Sequence, residues 1–234
     1  MKRKFSLIFS CLILIVSATS CIEDGVETLP LSPVCKSYSI EQVVPTEYLA
    51  QLAKFMSIYE GETPPNICGC YLLNTPVLVA STIPNDQVNN NLMVLQRFFN
   101  QNEFNMISWE QKEEVGGVVV ETSKSVEAYV YGSGNNFTAV LNTIITNQSA
   151  VGRVIYIVSG TKTSLGIKDA QLAILMLEKD DPENILIPVG TMRIFVEDDQ
   201  IAENSTWSLF KTTVSDPKLK ANHSLLFNQF QGVK

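Results

Sequence analysis

One histidine in 234 residues sets the first limit on this chain. It is His223, in the C-terminal stretch Lys220-Ala221-Asn222-His223-Ser224. A zinc site built on several imidazoles is excluded. A Ser-His or Cys-His catalytic pair would have to use this one residue, and no G-x-S-x-G nucleophile motif is present for it to serve. His223 therefore reads as a surface residue and the chain as a non-enzyme. Basic residues are scarce too, 17 Lys and Arg against 24 Asp and Glu. That balance argues against nucleic acid, which needs clustered positive charge, and against peripheral binding to anionic lipid. Long apolar runs are absent except at 5–16, about a dozen residues where a spanning helix needs about 20. There is no internal repeat and no long low-complexity segment.

That one apolar run has a context. Met1-Lys2-Arg3-Lys4 precedes it and Ser17-Ala18-Thr19-Ser20-Cys21 follows. A basic head, an apolar stretch and small residues describe a secretory signal. Cysteine directly after the small residues resembles a lipobox, with Ala18 where that pattern usually has Leu. The resemblance implies removal of residues 1–20 and acylation of Cys21. Two or three acyl chains would hold the protein firmly at a membrane, at about 0.8 kcal/mol per buried CH₂. Ile22-Glu23-Asp24-Gly25 resembles the surface-export signal of Bacteroidetes-type lipoproteins, and reads equally as a solvated tether. An outer-membrane lipoprotein is expected, with surface or periplasmic facing open. Without Lys2, Arg3 and Lys4, 14 basic residues face 24 acidic ones, a net charge near −10. The remaining 214 residues can bury one sizeable core.

Export permits disulfides. Besides Cys21, the mature chain has Cys35, Cys68 and Cys70, and three cysteines cannot all pair within one chain. Cys68 and Cys70 share a face if extended, and a bridge from Cys35 to either is open. A Cys-x-Cys metal or redox site lacks partner ligands, so neither metal nor cofactor is expected.

Residues 21–45 are acidic and carry Pro30, Pro33 and Pro45, which reads as a tether. Over 46–59, Tyr48, Leu49, Leu52, Phe55, Met56 and Tyr59 recur at three- and four-residue spacing. This predicts an amphipathic helix with Thr46 as N-cap and Gly61 past its end. Strands are predicted at 71–81, 93–99, 104–111, 116–122, 126–131, 137–146, 153–161, 169–179 and 185–196, separated by polar turns. Gly116-Gly117 suits a bulge or sharp bend. Residues 172–177 are apolar on both faces; the helix at 46–59 is the natural cover for one, and a ligand cavity could line the other. Residues 201–234 read as a C-terminal extension, a strand plus terminal helix or a loose tail, with Trp207, Leu209, Phe210, Leu225, Leu226, Phe227 and Phe230 scattered through it.

Three acidic clusters, Glu113-Glu114, Asp180-Asp181 with Glu183, and Asp198-Asp199, read as solvated turns. The sharper alternatives are Ca²⁺ binding and paired glycosidase carboxylates, but no Asp-x-Asp-x-Asp-Gly loop is present. Trp109, Trp207, Tyr129 and Tyr131 could stack on sugars or line a cavity, and read more simply as core.

From Pro64-Pro65-Asn66-Ile67-Cys68-Gly69-Cys70-Tyr71-Leu72-Leu73 onward, the chain resembles a group of Bacteroidetes-type lipoproteins with a lipocalin-like (calycin) β-barrel. Gly132-Ser133-Gly134-Asn135-Asn136-Phe137-Thr138, Val158-Ser159-Gly160 and Gly190-Thr191-Met192-Arg193-Ile194-Phe195 look like later parts of the same pattern. It covers about 46–200. The resemblance implies a mainly β, antiparallel lipocalin-like barrel with an N-terminal helix; the strand pattern alone also allows a β-sandwich. Lipocalins open their first strand with Gly-x-Trp, and a late basic residue packs on that Trp. Gly69-x-Tyr71 and Arg193 occupy comparable places, so Arg193 is expected over the Tyr71 ring, with Gly69 leaving room. The family's Thr-Asp-Tyr motif is missing. The function implied is non-catalytic: a small apolar or amphipathic ligand held in the barrel. The alternative is a surface-interaction or glycan-capture accessory protein using exposed loops and aromatics.

Overall fold

The computed structural model describes residues 38–89, 91–147, 149–211 and 224–226. Cys21, Cys35, His223 and the signal region lie outside them. The described residues all belong to the unit Lys36–Lys234.

Two short helices, α1 (Ile40–Val43) and α2 (Thr46–Leu52), precede eleven strands. These are β1 (Glu62–Thr63), β2 (Gly69–Leu73), β3 (Pro76–Ser81), β4 (Leu92–Phe99), β5 (Ser108–Val115), β6 (Val118–Ser133), β7 (Asn136–Asn147), β8 (Ala150–Lys162), β9 (Gly166–Asp180), β10 (Met192–Glu197) and β11 (Ile201–Asn204). From β4 to β9 each strand pairs antiparallel with the next, and β2 pairs with β4. Strand β11 pairs with both β9 and β2, which closes an eight-stranded antiparallel barrel. Closure decides between the two architectures the sequence allowed: the fold is a lipocalin-like barrel rather than a sandwich. Strand β9 is long enough to serve two partners. Its first residues pair with β11, and Gln171–Leu175 pair with β10. Strand β10 in turn carries β3, so β2 and β3 follow β11 and β10 as one bent antiparallel pair.

Alternation along the strands makes two cores. Inward-facing Phe137, Ala139 and Leu141 of β7, Val154, Tyr156 and Val158 of β8, and Leu172, Ile174 and Met176 of β9 fill the interior. The residues between them, Val140, Ile155, Ile157, Ala173 and Leu175, face outward and are buried beneath Ile40, Val44, Leu52 and Met56. The helical segment thus covers the outer face of 172–177, as its pattern required.

Several boundaries differ from the sequence reading. The tether does not run to 45: Ile40 and Val44 are buried, and α1 belongs to the folded unit. Helix α2 ends at Leu52, not 59, and Pro45 rather than Thr46 is its N-cap. The reason is competition. Ser57 N–H donates to Gln171 Oε1 (2.7 Å) and Tyr59 N–H to Thr138 Oγ1 (2.7 Å), which draws the chain out along the sheet. Gly116 and Gly117 have φ of 61° and 85°. They form a tight two-residue hairpin turn, where both central residues need positive φ, the sharp bend of the two alternatives the sequence offered. The predicted strands at 116–122 and 126–131 are one strand, β6, with a register shift between Ser125 and Glu127. Residues 185–191 are not strand; β10 begins at Met192. The C-terminal extension is part of the fold: Ile201–Asn204 closes the barrel, and Trp207 and Phe210 pack outside on Leu95 and Val119.

Candidate functional site

Strand β5 points Trp109, Gln111 and Glu113 inward at alternate positions, and β10 points Arg193 and Phe195 inward from across the barrel. Between Glu113 and Arg193 lies a segment from the C-terminal region. Ser224, Leu225 and Leu226 are fully buried, the two leucines within the interior core. Leu225 N–H donates to Glu113 Oε2 (2.9 Å), and Leu225 C=O accepts from Arg193 Nη1 (2.5 Å). Leu226 C=O accepts from Ile187 N–H (3.1 Å). The barrel wall therefore reads the backbone of one residue, Leu225, with an acceptor for its N–H, a donor for its C=O and apolar surface for the leucine side chains.

A buried polar network sets up both readers. Arg193 Nε and Nη2 donate to the two carboxylate oxygens of Asp86 (2.7 and 2.8 Å), a bidentate pair with both side chains almost fully buried. Ser81 Oγ donates to Asp86 Oδ2 (2.6 Å). On the opposite wall Gln96 Nε2 donates to Gln111 Oε1 (3.0 Å), and Gln111 Nε2 to Glu113 Oε1 (3.0 Å). Burial pushes the Glu113 carboxyl up to about 7, against the pull of the Leu225 N–H and with a further upward push from Glu121. Burial, with the nearby Glu113 charge, also holds the Tyr156 phenol well above its usual range. Gln96 Oε1 and Trp109 Nε1 are buried and have no hydrogen-bond partner among the described residues.

The expected pair of Tyr71 and Arg193 is not formed. Lys162 Nζ lies over the Tyr71 ring at 4.8 Å from its centroid, and Phe98 packs beside it at 6.0 Å. Register shows why. Arg193 stands opposite Ser81 of β3, whereas Tyr71 stands opposite Asn204 of β11. Ten residues separate Tyr71 from Ser81, roughly 30 Å of extended chain. The two belong to opposite ends, and Asp86 holds the guanidinium in place. Gly69 does make room, but for Tyr71 itself: a Cβ there would lie 2.7 Å from the Tyr71 hydroxyl. That hydroxyl donates to Ile67 C=O (3.0 Å), and burial pushes its pKa up to about 12.

Cys68 and Cys70 are free thiols, the first exposed and the second half-buried. Burial raises the Cys70 thiol, with Arg97 pulling it down. Among the described residues no group of three or more His, Cys, Asp or Glu is placed to hold a metal ion. The Glu113-Glu114 doublet is not a solvated turn; both residues are buried in β5. Asp181 caps the turn after β9, accepting from Ile185 N–H (3.0 Å), Leu186 N–H (2.8 Å) and Lys179 Nζ (3.0 Å). Trp109 lies inside the barrel, 4.9 Å from the Tyr156 ring. Trp207 lies outside, where the Arg97 guanidinium sits 4.7 Å from its ring centroid. Tyr129 and Tyr131 line a groove of about 280 Å³ on the outer wall.

The sequence carried one unused sign of the interior segment: Leu225-Leu226 is an apolar pair in a polar tail, without periodicity to place it. The chain matches no protein-family model, no curated protein and no solved structure.

Proposed function

We propose that this is a lipid-anchored, non-catalytic binding protein, fixed to a bacterial membrane through acylated Cys21, whose barrel holds a small amphipathic ligand in exchange with its own segment 224–226. One observation carries the reading: the interior already accommodates two leucine side chains while Glu113 and Arg193 bind the N–H and C=O of Leu225. A ligand of the same character, apolar with a donor and an acceptor spaced like the N–H and C=O of one residue, meets the same readers. The unpartnered Gln96 Oε1 and Trp109 Nε1 support it, since buried polar atoms without partners are uncommon and mark places where water or ligand completes the bonding.

Native mass spectrometry of protein purified from its own host tests this, comparing the wild type with Leu225→Asp/Leu226→Asp. The variant should carry additional small-molecule mass because the competing segment is expelled. If neither form carries any, the reading fails. For the anchor, Cys21→Ala should release the protein from the membrane fraction and remove its acyl mass. A second reading, surface interaction or glycan capture, rests on exposed Tyr38 and Phe104 beside Tyr129 and Tyr131 on the outer wall.

A further inference from the structure

The groove on the outer wall is built from strand, loop and helix, and its chemistry is one-sided. Its floor is β6, with Tyr129 and Tyr131 both more than nine-tenths buried. One wall is β1, which pairs parallel with the end of β6. Gly132 N–H donates to Gly61 C=O (3.0 Å), and Asn105 Nδ2 donates to Glu62 C=O (2.9 Å), so this wall is tied to the floor. A Cβ at Gly61 would lie 2.6 Å from Gly132 O, and its φ is 132°; only glycine allows so close an approach. At the other side Tyr38 meets Tyr129 edge-on, with ring centroids 5.6 Å apart.

Glu41, Glu60 and Glu62 line the groove together with Phe104, and no lysine or arginine among the described residues lines it. Glu127, next to it, accepts the Tyr129 hydroxyl (2.5 Å). The Tyr131 hydroxyl is buried and has no partner among the described residues. Burial raises its pKa, with further upward pushes from the charges of Glu41 and Glu127. Aromatic faces attract cations, carboxylates without basic partners do the same, and an unpartnered phenolic oxygen near a carboxylate accepts an N–H. The groove holds about 280 Å³, just below the roughly 300–1,000 Å³ of pockets that enclose a drug-sized ligand. It fits a head group and its first carbons.

We propose that this groove binds a primary alkylammonium group, either a free amine or a lysine side chain, with the tyrosines around the cation and the Tyr131 hydroxyl accepting one N–H. The site is separate from the barrel interior and does not depend on what the barrel holds.

The test is amide chemical-shift titration of the ¹⁵N-labelled mature chain with four probes: n-butylammonium, n-butanol, tetramethylammonium and Nα-acetyl-lysine methylamide. Butylammonium should shift the amides of residues 38–41, 60–62 and 129–131 and saturate, with butanol at least tenfold weaker. Tyr131→Phe should weaken butylammonium by about tenfold, the scale of one hydrogen bond to a charged group, and leave tetramethylammonium unchanged. Glu41→Gln/Glu60→Gln, at exposed positions, should weaken both cations. Tighter binding of the lysine probe assigns the cation to a polypeptide, and equal or weaker binding assigns it to a free amine; either ranking upholds the site. Equal shifts by butanol, or unchanged butylammonium affinity in both variants, would overturn the proposal. Tetramethylammonium binding as tightly as butylammonium would overturn the role of the hydroxyl, and with it the preference for a primary amine.

Discussion

The two ends of the barrel are held by different physics. At the Tyr71 end the chain closes on itself with neutral packing: Tyr71 folds over Gly69, Phe98 lies beside it, and one lysine caps the ring. At the Arg193 end, beside the paired strands β3 and β10, the interior holds a buried ion pair, a raised carboxyl and a segment of the C-terminal region. Trimming neutral packing costs transfer and cavity energy but leaves no charge stranded. A buried ionic network adds a further cost, since removing one member leaves another charged and unpaired. The first end rests on packing, and the second on a network whose members depend on one another.

The largest break in that contrast is Arg193→Ala. It strands the Asp86 carboxylate and frees the Leu225 carbonyl, and should cost about 3–5 kcal/mol in urea unfolding. Ring stacking alone would have cost about 1–2. Arg193→Lys should recover little, because an ammonium cannot make the bidentate pair. Leu226→Ala comes next, at about 2–4 kcal/mol for an emptied interior position. A change within about 0.5 kcal/mol, the scale of surface substitutions, would mean that the segment does not occupy the barrel in solution.

Glu113 gives the third test, through pH. Its carboxyl titrates near 7 in the folded chain, against 4.5 ordinarily. Between those values the folded state holds a proton that the unfolded state has released. Stability therefore falls as pH rises from 4.5 to 7 and stays low above 7. The shift corresponds to up to about 3 kcal/mol. Glu113→Gln, which cannot ionise, should flatten that slope and gain most over the wild type at pH 8. A slope unchanged by the substitution would place the raised titration elsewhere.

How much of this was legible follows from where each signal lives. Strand alternation is local, so most strands and both faces of 172–177 could be read directly. Barrel closure is not local. It rests on the four residues of β11, inside a stretch that carries no strand period of its own. Arg193 and Tyr71 were paired by analogy of motif, but register separates them, and register is set by every hairpin between. Glu113 was misread because an acidic doublet resembles a turn. Its inward direction is fixed by the alternation Trp109-x-Gln111-x-Glu113, which polar side chains hide from a hydrophobicity reading. Leu225 and Leu226 had no periodicity to place them at all. The polar half of the interior is visible only once the barrel is closed.

The smallest effect is also the most discriminating between the two ends. Lys162 sits over Tyr71 with its ammonium donating to Thr163 C=O (3.2 Å), and burial lowers its pKa. It is partly exposed, so Lys162→Ala should cost no more than about 1 kcal/mol. Lys162→Met keeps the apolar stem over the ring and should cost less, if the stem rather than the charge does the covering. A double-mutant cycle with Tyr71→Leu should then show coupling to Lys162, since the two touch. The same cycle between Tyr71→Leu and Arg193→Ala should be additive within about 0.3–0.5 kcal/mol, as for distant sites without shared partners. Larger coupling there would mean that strain passes along the bent β2–β3 strand from one end to the other. The barrel would then respond as one body, and displacing the segment at Arg193 would be felt at Tyr71.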